Sequence, residues 1–193
     1  AASDVYKRQF YGRADDTTRR ALDWLDTRKS PERPFFLFVH YFDPHNPYIP
    51  PAEFSPPFLP GPQEALKLNR TIFFYDTIIA FTDDQIGELL GSLGRRGLEN
   101  DTLVVVTGDH GEGLMEHGHM FHGVHIYEEG VRVPLILRWP GRIPEGVVLP
   151  GPVTLADIPT TILGLVGAAN RLQAHGRDIA PALLGEGQIE PER

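Results

Sequence analysis

The chain has 193 residues, 41% of them apolar and 23% charged, enough for a globular domain of ordinary size. Its formal net charge of −8 argues against general affinity for nucleic acid or an anionic membrane, and no apolar run is long enough to span a bilayer. With no cysteine there is no disulfide and no thiolate nucleophile.

A small anionic substrate stays compatible with the negative charge, because a bound metal and a few side chains would set the local field. Asp4-Val-Tyr-Lys-Arg-Gln9 resembles the translation of a transposon end used in preparing sequencing libraries. Residues 1–9 are therefore expected to be a sequencing artefact, with the natural protein extending upstream of Phe10. Asp15 and Asp16 open the first predicted helix. Its apolar face is Ala21, Leu22, Trp24 and Leu25, and Arg28 and Lys29 fall in its last turn. Acid first and base last suits the helix dipole. Pro31 and Pro34 end it, and residues 35–39 form an unbroken apolar run that predicts a buried strand. Helix, short loop and strand is the rhythm of a parallel α/β fold.

His40-Tyr-Phe-Asp-Pro-His-Asn-Pro-Tyr48 lies at the carboxyl end of that strand, where open α/β sheets gather ligands. Its prolines stiffen the loop around His45. Residues 50–62 hold six prolines and one glycine and predict an extended surface loop that could rim a pocket. Residues 71–93 predict a long helix. Tyr75, Ile78, Ile79, Ile86, Leu89, Leu90 and Leu93 face inward, Asp76, Asp83, Asp84 and Glu88 face solvent, and Gly94 and Gly97 close it.

Residues 103–107 are a second unbroken run, read as a strand buried on both faces as in a parallel sheet. Gly108 ends it, and Asp109, His110, Gly111 and Glu112 follow. A carboxylate and an imidazole side by side at a strand's carboxyl end are candidate metal ligands; the alternative is a capping Asp beside a solvated His. His117, His119, His122 and His125 come next, with Gly118 and Gly123 among them, so this is a loop. Histidine is a common metal ligand and the side chain most easily used as an acid near neutral pH, although such a loop can also carry incidental histidines. Tyr127-Glu128-Glu129 predicts a turn of helix. Residues 131–137, broken by Arg132 and Pro134, predict an edge strand or a strand start. A last amphipathic helix begins at Thr154 or Asp157, turns Ile158, Ile162, Leu163, Leu165 and Val166 inward, and ends at Gly167. Asp157 reads as a cap or ion-pair residue. Residues 186–193 form a polar tail.

Taken in order, Phe36-Leu-Phe-Val-His-Tyr-Phe-Asp-Pro-His-Asn-Pro-Tyr48, Tyr75-Asp76, Asn100-Asp-Thr-Leu-Val-Val-Val-Thr-Gly-Asp-His-Gly-Glu112, His122-Gly-Val-His-Ile-Tyr-Glu-Glu-Gly-Val-Arg-Val-Pro-Leu135, Asp157-Ile-Pro-Thr-Thr-Ile162 and Gly176-Arg-Asp-Ile179 resemble the sulfatase family of the alkaline phosphatase-like superfamily. The resemblance implies an α/β fold with a mostly parallel sheet sandwiched by helices. Asp109 and His110 would be ligands of a divalent cation, usually Ca2+ in this family. A nitrogen ligand at His110 makes Mn2+ or Zn2+ more plausible than usual. His45 would hydrogen-bond the sulfate and help the leaving oxygen accept a proton. His122 aligns with a position often held by a sulfate-binding lysine, and His117, on the same loop, is grouped with these two as substrate-binding. The sulfatase nucleophile is a formylglycine made from Cys or Ser in a Cys/Ser-x-Pro/Ala-x-Arg motif, and that motif is absent from this chain.

Residues 10–185 are thus expected to be the later part of a catalytic domain, with the nucleophile and two further metal-binding aspartates upstream. The implied substrate is a small-molecule or carbohydrate sulfate ester, and the implied compartment periplasmic or extracellular. Two other readings remain. A phosphatase, phosphodiesterase or phosphonate hydrolase of the same superfamily would share the metal plan. A non-catalytic glycan-binding homologue would not need a tightly held cation.

Overall fold

The computed structural model describes residues 12–57, 70–169, 175–187 and 189. The expected artefact at residues 1–9, the end of the proline-rich loop and the last residues of the tail lie outside the described residues. Ala1–Gly97 and Leu98–Arg193 form two compact units.

In the first unit, α1 (Ala14–Asp26) packs on α2 (Arg70–Arg95). Ala14, Thr18, Ala21 and Leu25 recur at helical spacing and are the buried stripe of α1. The helix ends at Asp26, so Arg28 and Lys29 fall beyond the last turn where they were expected. Arg28 instead donates to the carbonyls of Pro31 and Arg33, at 2.8 and 2.6 Å, and lies over the Phe35 ring. Trp24, expected in the core, is exposed and meets Phe35 edge-on at 5.7 Å.

Ala14, Tyr48, Ile78 and Phe81 form the core of this unit, with Tyr41, Phe54, Phe74 and Tyr75 packed against it. The loop after residue 40 therefore supplies core as well as surface. Thr18 Oγ1 donates to the Gln85 carbonyl at 3.2 Å and lies 2.9 Å from the Tyr41 hydroxyl, joining both helices to that loop. Burial pushes the Asp43 carboxyl up, while the Ala14 amide that it accepts at the start of α1 pulls it down less strongly.

Three further expectations for this unit are corrected. Residues 35–39 join no strand ladder among the described residues, and Phe36 and Phe38 are 77% and 75% exposed. Every second residue is partly buried, so one side packs and the other does not. Ile79 is exposed because Thr77, Ile78, Phe81 and Thr82 occupy the buried face. Gly94 lies inside α2; the stop is Gly97, whose φ of 67° is the left-handed conformation glycine adopts without steric cost.

The second unit opens with a 3-10 turn at Glu99–Asp101. There follow β1 (Val104–Thr107), β2 (Gly113–Leu114), β3 (Met120–Phe121), α3 (Glu128–Val131), β4 (Leu135–Arg138), α4 (Asp157–Leu165) and α5 (Ala180–Leu183). β1 pairs with β4 in antiparallel register, from Val104 opposite Arg138 to Thr107 opposite Leu135. Both strand pairs among the described residues are antiparallel, and Val104 to Val106 are only partly buried, short of the double cover read from the apolar run. An unbroken apolar strand says that both faces can be covered; it does not fix the direction of its neighbour. Pro134 sits immediately before β4, where a missing N–H breaks no ladder bond. The histidine segment is not all loop: β2 and β3 make a short hairpin inside it.

Asp157 anchors the end of this unit. Its side chain is 4% exposed. Its carboxylate accepts the Thr154 amide at 2.9 Å, the Arg177 amide at 2.7 Å and the Arg177 guanidinium at 3.1 Å. Thr161, one turn on, donates to the Asp157 carbonyl and accepts the Ile179 amide. Val166 lies past the end of α4 and is exposed, not inward as expected.

Burial pushes the Asp157 carboxyl up, but the two amides and the guanidinium outweigh it and hold the group below its ordinary range. A lowered folded pKa stabilises above the unfolded value, near 4, and that contribution is lost as pH falls through the folded value. Asp157→Ala is expected to cost about 2–3 kcal/mol at neutral pH. Denaturant unfolding of both proteins should show that the gap narrows below about pH 4.

Candidate active site

The second-unit site is built on the turn that leaves β1. The Gly111 amide donates to the Gly130 carbonyl at 2.9 Å. A Cβ on Gly111 would stand 2.0 Å from the Glu129 carbonyl oxygen, so only glycine allows this backbone approach. The approach fastens the Asp109–Glu112 turn onto α3.

Asp109 and His110 occupy the exposed side of that turn. Asp109 Oδ1 accepts the His110 amide at 3.0 Å. His110 Nδ1 lies 2.9 Å from the Gly111 carbonyl, which can only accept, so Nδ1 carries the proton and Nε2 is the nitrogen with the lone pair. That Nε2 lies 3.8 Å from Asp109 Oδ1. One carboxylate oxygen and one imidazole nitrogen at this spacing can reach the same cation at ordinary ligand distances. The two residues therefore fit the expected metal role as part of a ligand set. Among the described residues no group of three or more His, Cys, Asp or Glu side chains is arranged to hold a metal ion.

The ring of His122 stacks on that of His110, with centroids 3.9 Å apart. The β2–β3 hairpin makes this possible by folding residue 122 back toward residue 110; its register puts Gly113 opposite Phe121. Phe121 holds φ at 72° at the point where the chain turns toward His122. Beneath the pair, Glu112 Oε1 accepts from His122 Nδ1 at 3.0 Å. The histidine side chain is 26% exposed and the glutamate side chain 5%.

His117 goes to a second cluster. Its Nδ1 donates to Glu129 Oε1 at 2.7 Å, and its ring stacks on Tyr127 with centroids 4.1 Å apart and planes 9° apart. That hydrogen bond, and then a backbone one, hold the Glu129 carboxyl below its ordinary range. His119 and His125 pack ring on ring beside Tyr127.

His45 belongs to the first unit; the other candidates belong to the second. Its Nδ1 donates to the Asn46 carbonyl at 2.6 Å, its ring stacks on Phe42 at 4.7 Å, and its amide closes a turn onto the Phe42 carbonyl. The peptide bond between Asn46 and Pro47 is cis. Within the second unit, then, Asp109, His110 and His122 come together, and His117 is held by other partners.

Residues 2–168 match the family model for the sulfatases. The chain belongs to the sulfatase family. It is 31% identical over 176 residues to the steryl-sulfatase of Rattus norvegicus, a match covering 83% of this chain and 28% of that protein. It is 31% identical over 181 residues to the N-acetylgalactosamine-6-sulfatase of Canis lupus familiaris, covering 89% and 32%. Among solved structures it resembles the phosphonate monoester hydrolase SpPMH from Silicibacter pomeroyi at a TM-score of 0.71 and 26% identity, covering 93% of this chain and 44% of that one. The expected alkaline phosphatase-like α/β class therefore holds. The chain spans about a third of the length of these curated sulfatases.

Reading the sequence missed Glu112, Glu129 and Tyr127 as site residues. The family's conspicuous Asp109-His110 pair drew attention past Glu112, two positions on. Nothing local marked it, because whether a carboxylate between two glycines is buried depends on what folds over it.

Because Gly111 touches backbone and not a flexible side chain, Gly111→Ala must displace the Glu129 carbonyl. We expect a loss of roughly 2–3 kcal/mol. Backbone amide exchange should speed at Gly111 and along residues 127–131, with little change in α1 and α2.

Proposed function

We propose that the full-length protein is a metal-dependent hydrolase of sulfate esters, and that residues 10–185 form the later part of its catalytic domain. The observation that supports this is the grouping of Asp109, His110 and His122 at the end of β1 in a chain of the sulfatase family. Asp109 and His110 hold a divalent cation, with the remaining ligands supplied elsewhere in the protein. Withdrawal of charge from the sulfuryl oxygens is the chemistry such a cation supplies there. Calcium is the ion this family usually takes; the imidazole of His110 also suits manganese or zinc.

His122 contacts the sulfate group, and its ring N–H stabilises the negative charge on it. His45 and His117 are each read as ester-binding residues, His45 being the one suited to help a leaving oxygen accept a proton. Departure as an alcohol rather than an alkoxide lowers the cost of breaking the S–O ester bond. The nucleophile is a formylglycine outside this chain.

The substrate is a small-molecule or carbohydrate sulfate ester. Support comes from the relatives, one named for a steryl sulfate and one for an N-acetylgalactosamine 6-sulfate. Export to the periplasm or beyond is the matching compartment. One observation favours a second reading, hydrolysis of phosphonate monoesters: 26% identity to a phosphonate monoester hydrolase across 93% of the chain.

The test is turnover by the full-length protein of p-nitrophenyl sulfate against p-nitrophenyl phenylphosphonate. A higher kcat/KM on the sulfate supports the first reading, and the reverse order the second. His122→Ala should lower kcat/KM on the preferred ester by about 100- to 1000-fold. The 193-residue chain alone should give no turnover. Elemental analysis of the full-length protein should find close to one tightly held divalent ion; no metal and no turnover would make it a binding homologue.

A further inference from the structure

Glu112 is the most deeply buried charged side chain touching the candidate site, and neither the family resemblance nor the metal plan gives it a task. Its side chain is 5% exposed, against 78% for Asp109 three residues earlier. Burying a carboxylate is costly unless hydrogen bonds compensate. At Glu112 one of those bonds goes to His122 Nδ1, at 3.0 Å.

From this geometry we infer that Glu112 is a positioning residue, fixing the ring orientation and proton placement of His122 for the ester. The inference rests on the reading of His122 as a substrate-binding residue. A carboxylate can only accept, so the bond requires a proton on Nδ1 and makes Nε2 the nitrogen presented away from Glu112. A histidine without such a partner can rotate about χ2 and exchange its two nitrogens, and half of those arrangements offer the ester the wrong one. The same arrangement of a carboxylate behind an imidazole sets ring orientation in other histidine sites, and removing the outer partner of a metal-ligating histidine costs about 10- to 100-fold in metal affinity or activity.

Two features keep Glu112 on that side of the ring. The hydrogen bond from the Gly111 amide to the Gly130 carbonyl fixes the backbone just before it. Gly113, just after it, is paired in the hairpin with Phe121, the neighbour of His122. Glutamate and histidine therefore directly flank the two strands of one hairpin, and the contact is set by register, not by long flexible segments. His110 closes the other face of the ring by stacking at 3.9 Å.

Glu112→Gln tests this with little change of shape, because an amide can either accept from Nδ1 or donate to it and so no longer dictates the tautomer. In full-length protein with selectively 15N-labelled histidine, His122 should show one tautomer, protonated at Nδ1. Glu112→Gln should show a mixture. On the preferred ester, Glu112→Gln should lower kcat by about 10- to 100-fold, with a melting temperature near that of the parent. In the His122→Ala background the same change should have no further effect on kcat, since its action runs through the ring. Equal losses in both backgrounds, or an unchanged tautomer in Glu112→Gln, would overturn the inference. Full activity in His122→Ala would instead overturn the substrate-binding reading of His122 on which it rests.

Discussion

The second unit is organised by a contact with no side chain in it. Gly111 lies so close to the backbone of Glu129 and Gly130 that a methyl group would collide with a carbonyl oxygen. The single hydrogen bond formed there is ordinary in strength. Its importance is geometric. It locks the turn bearing Asp109, His110 and Glu112 against the short helix bearing Glu129. Everything between, including the β2–β3 hairpin and four histidines, becomes a closed loop with both ends fixed. Closing such a loop limits where His117 and His122 can go, and each finds a carboxylate: Glu129 for one, Glu112 for the other.

The arrangement separates two kinds of acidic group. Asp109 is solvent-exposed and accepts only its neighbour's amide among the hydrogen bonds described for its carboxylate, so most of its acceptor capacity faces solvent. Glu112 and Glu129 face imidazoles and are largely shielded. Asp157 is a third kind, buried among two amides and a guanidinium, where it ties the segment around Arg177 to α4. The chain thus sorts its carboxylates into solvent-exposed, imidazole-paired and tertiary-anchoring groups according to burial and donors. A count of acidic residues, or the net charge, carries none of that information.

In the first unit the histidine-bearing loop is stiffened by packing as much as by proline. Tyr48 is in the core with Ile78 and Phe81, and Asp43 accepts the first amide of α1. His45 sits between these two attachments, stacked on Phe42. Such support leaves the His45 ring little conformational freedom to lose on any binding event.

The order of motifs was enough to identify the family, because Asp109-His110 after an apolar run, a histidine segment behind it and His45 ahead of it are local patterns that survive without coordinates. Both long helices were legible for the same reason: 3.6-residue periodicity is a property of neighbouring residues. The errors have a common cause. Phe36, Phe38, Trp24 and Ile79 are apolar and were read as core, but whether an apolar residue is buried depends on what lies across from it. The direction of β1 relative to β4 depends on how the chain returns, which an apolar run does not encode. Glu112 and Glu129 acquired roles only when the hairpin and the Gly111 contact brought histidines from ten and twelve residues away onto them. Sequence alone determined which chemical groups this protein has and in what order; the tertiary structure decided which of them meet, because meeting is settled by backbone approach and register between segments that are not neighbours in the chain.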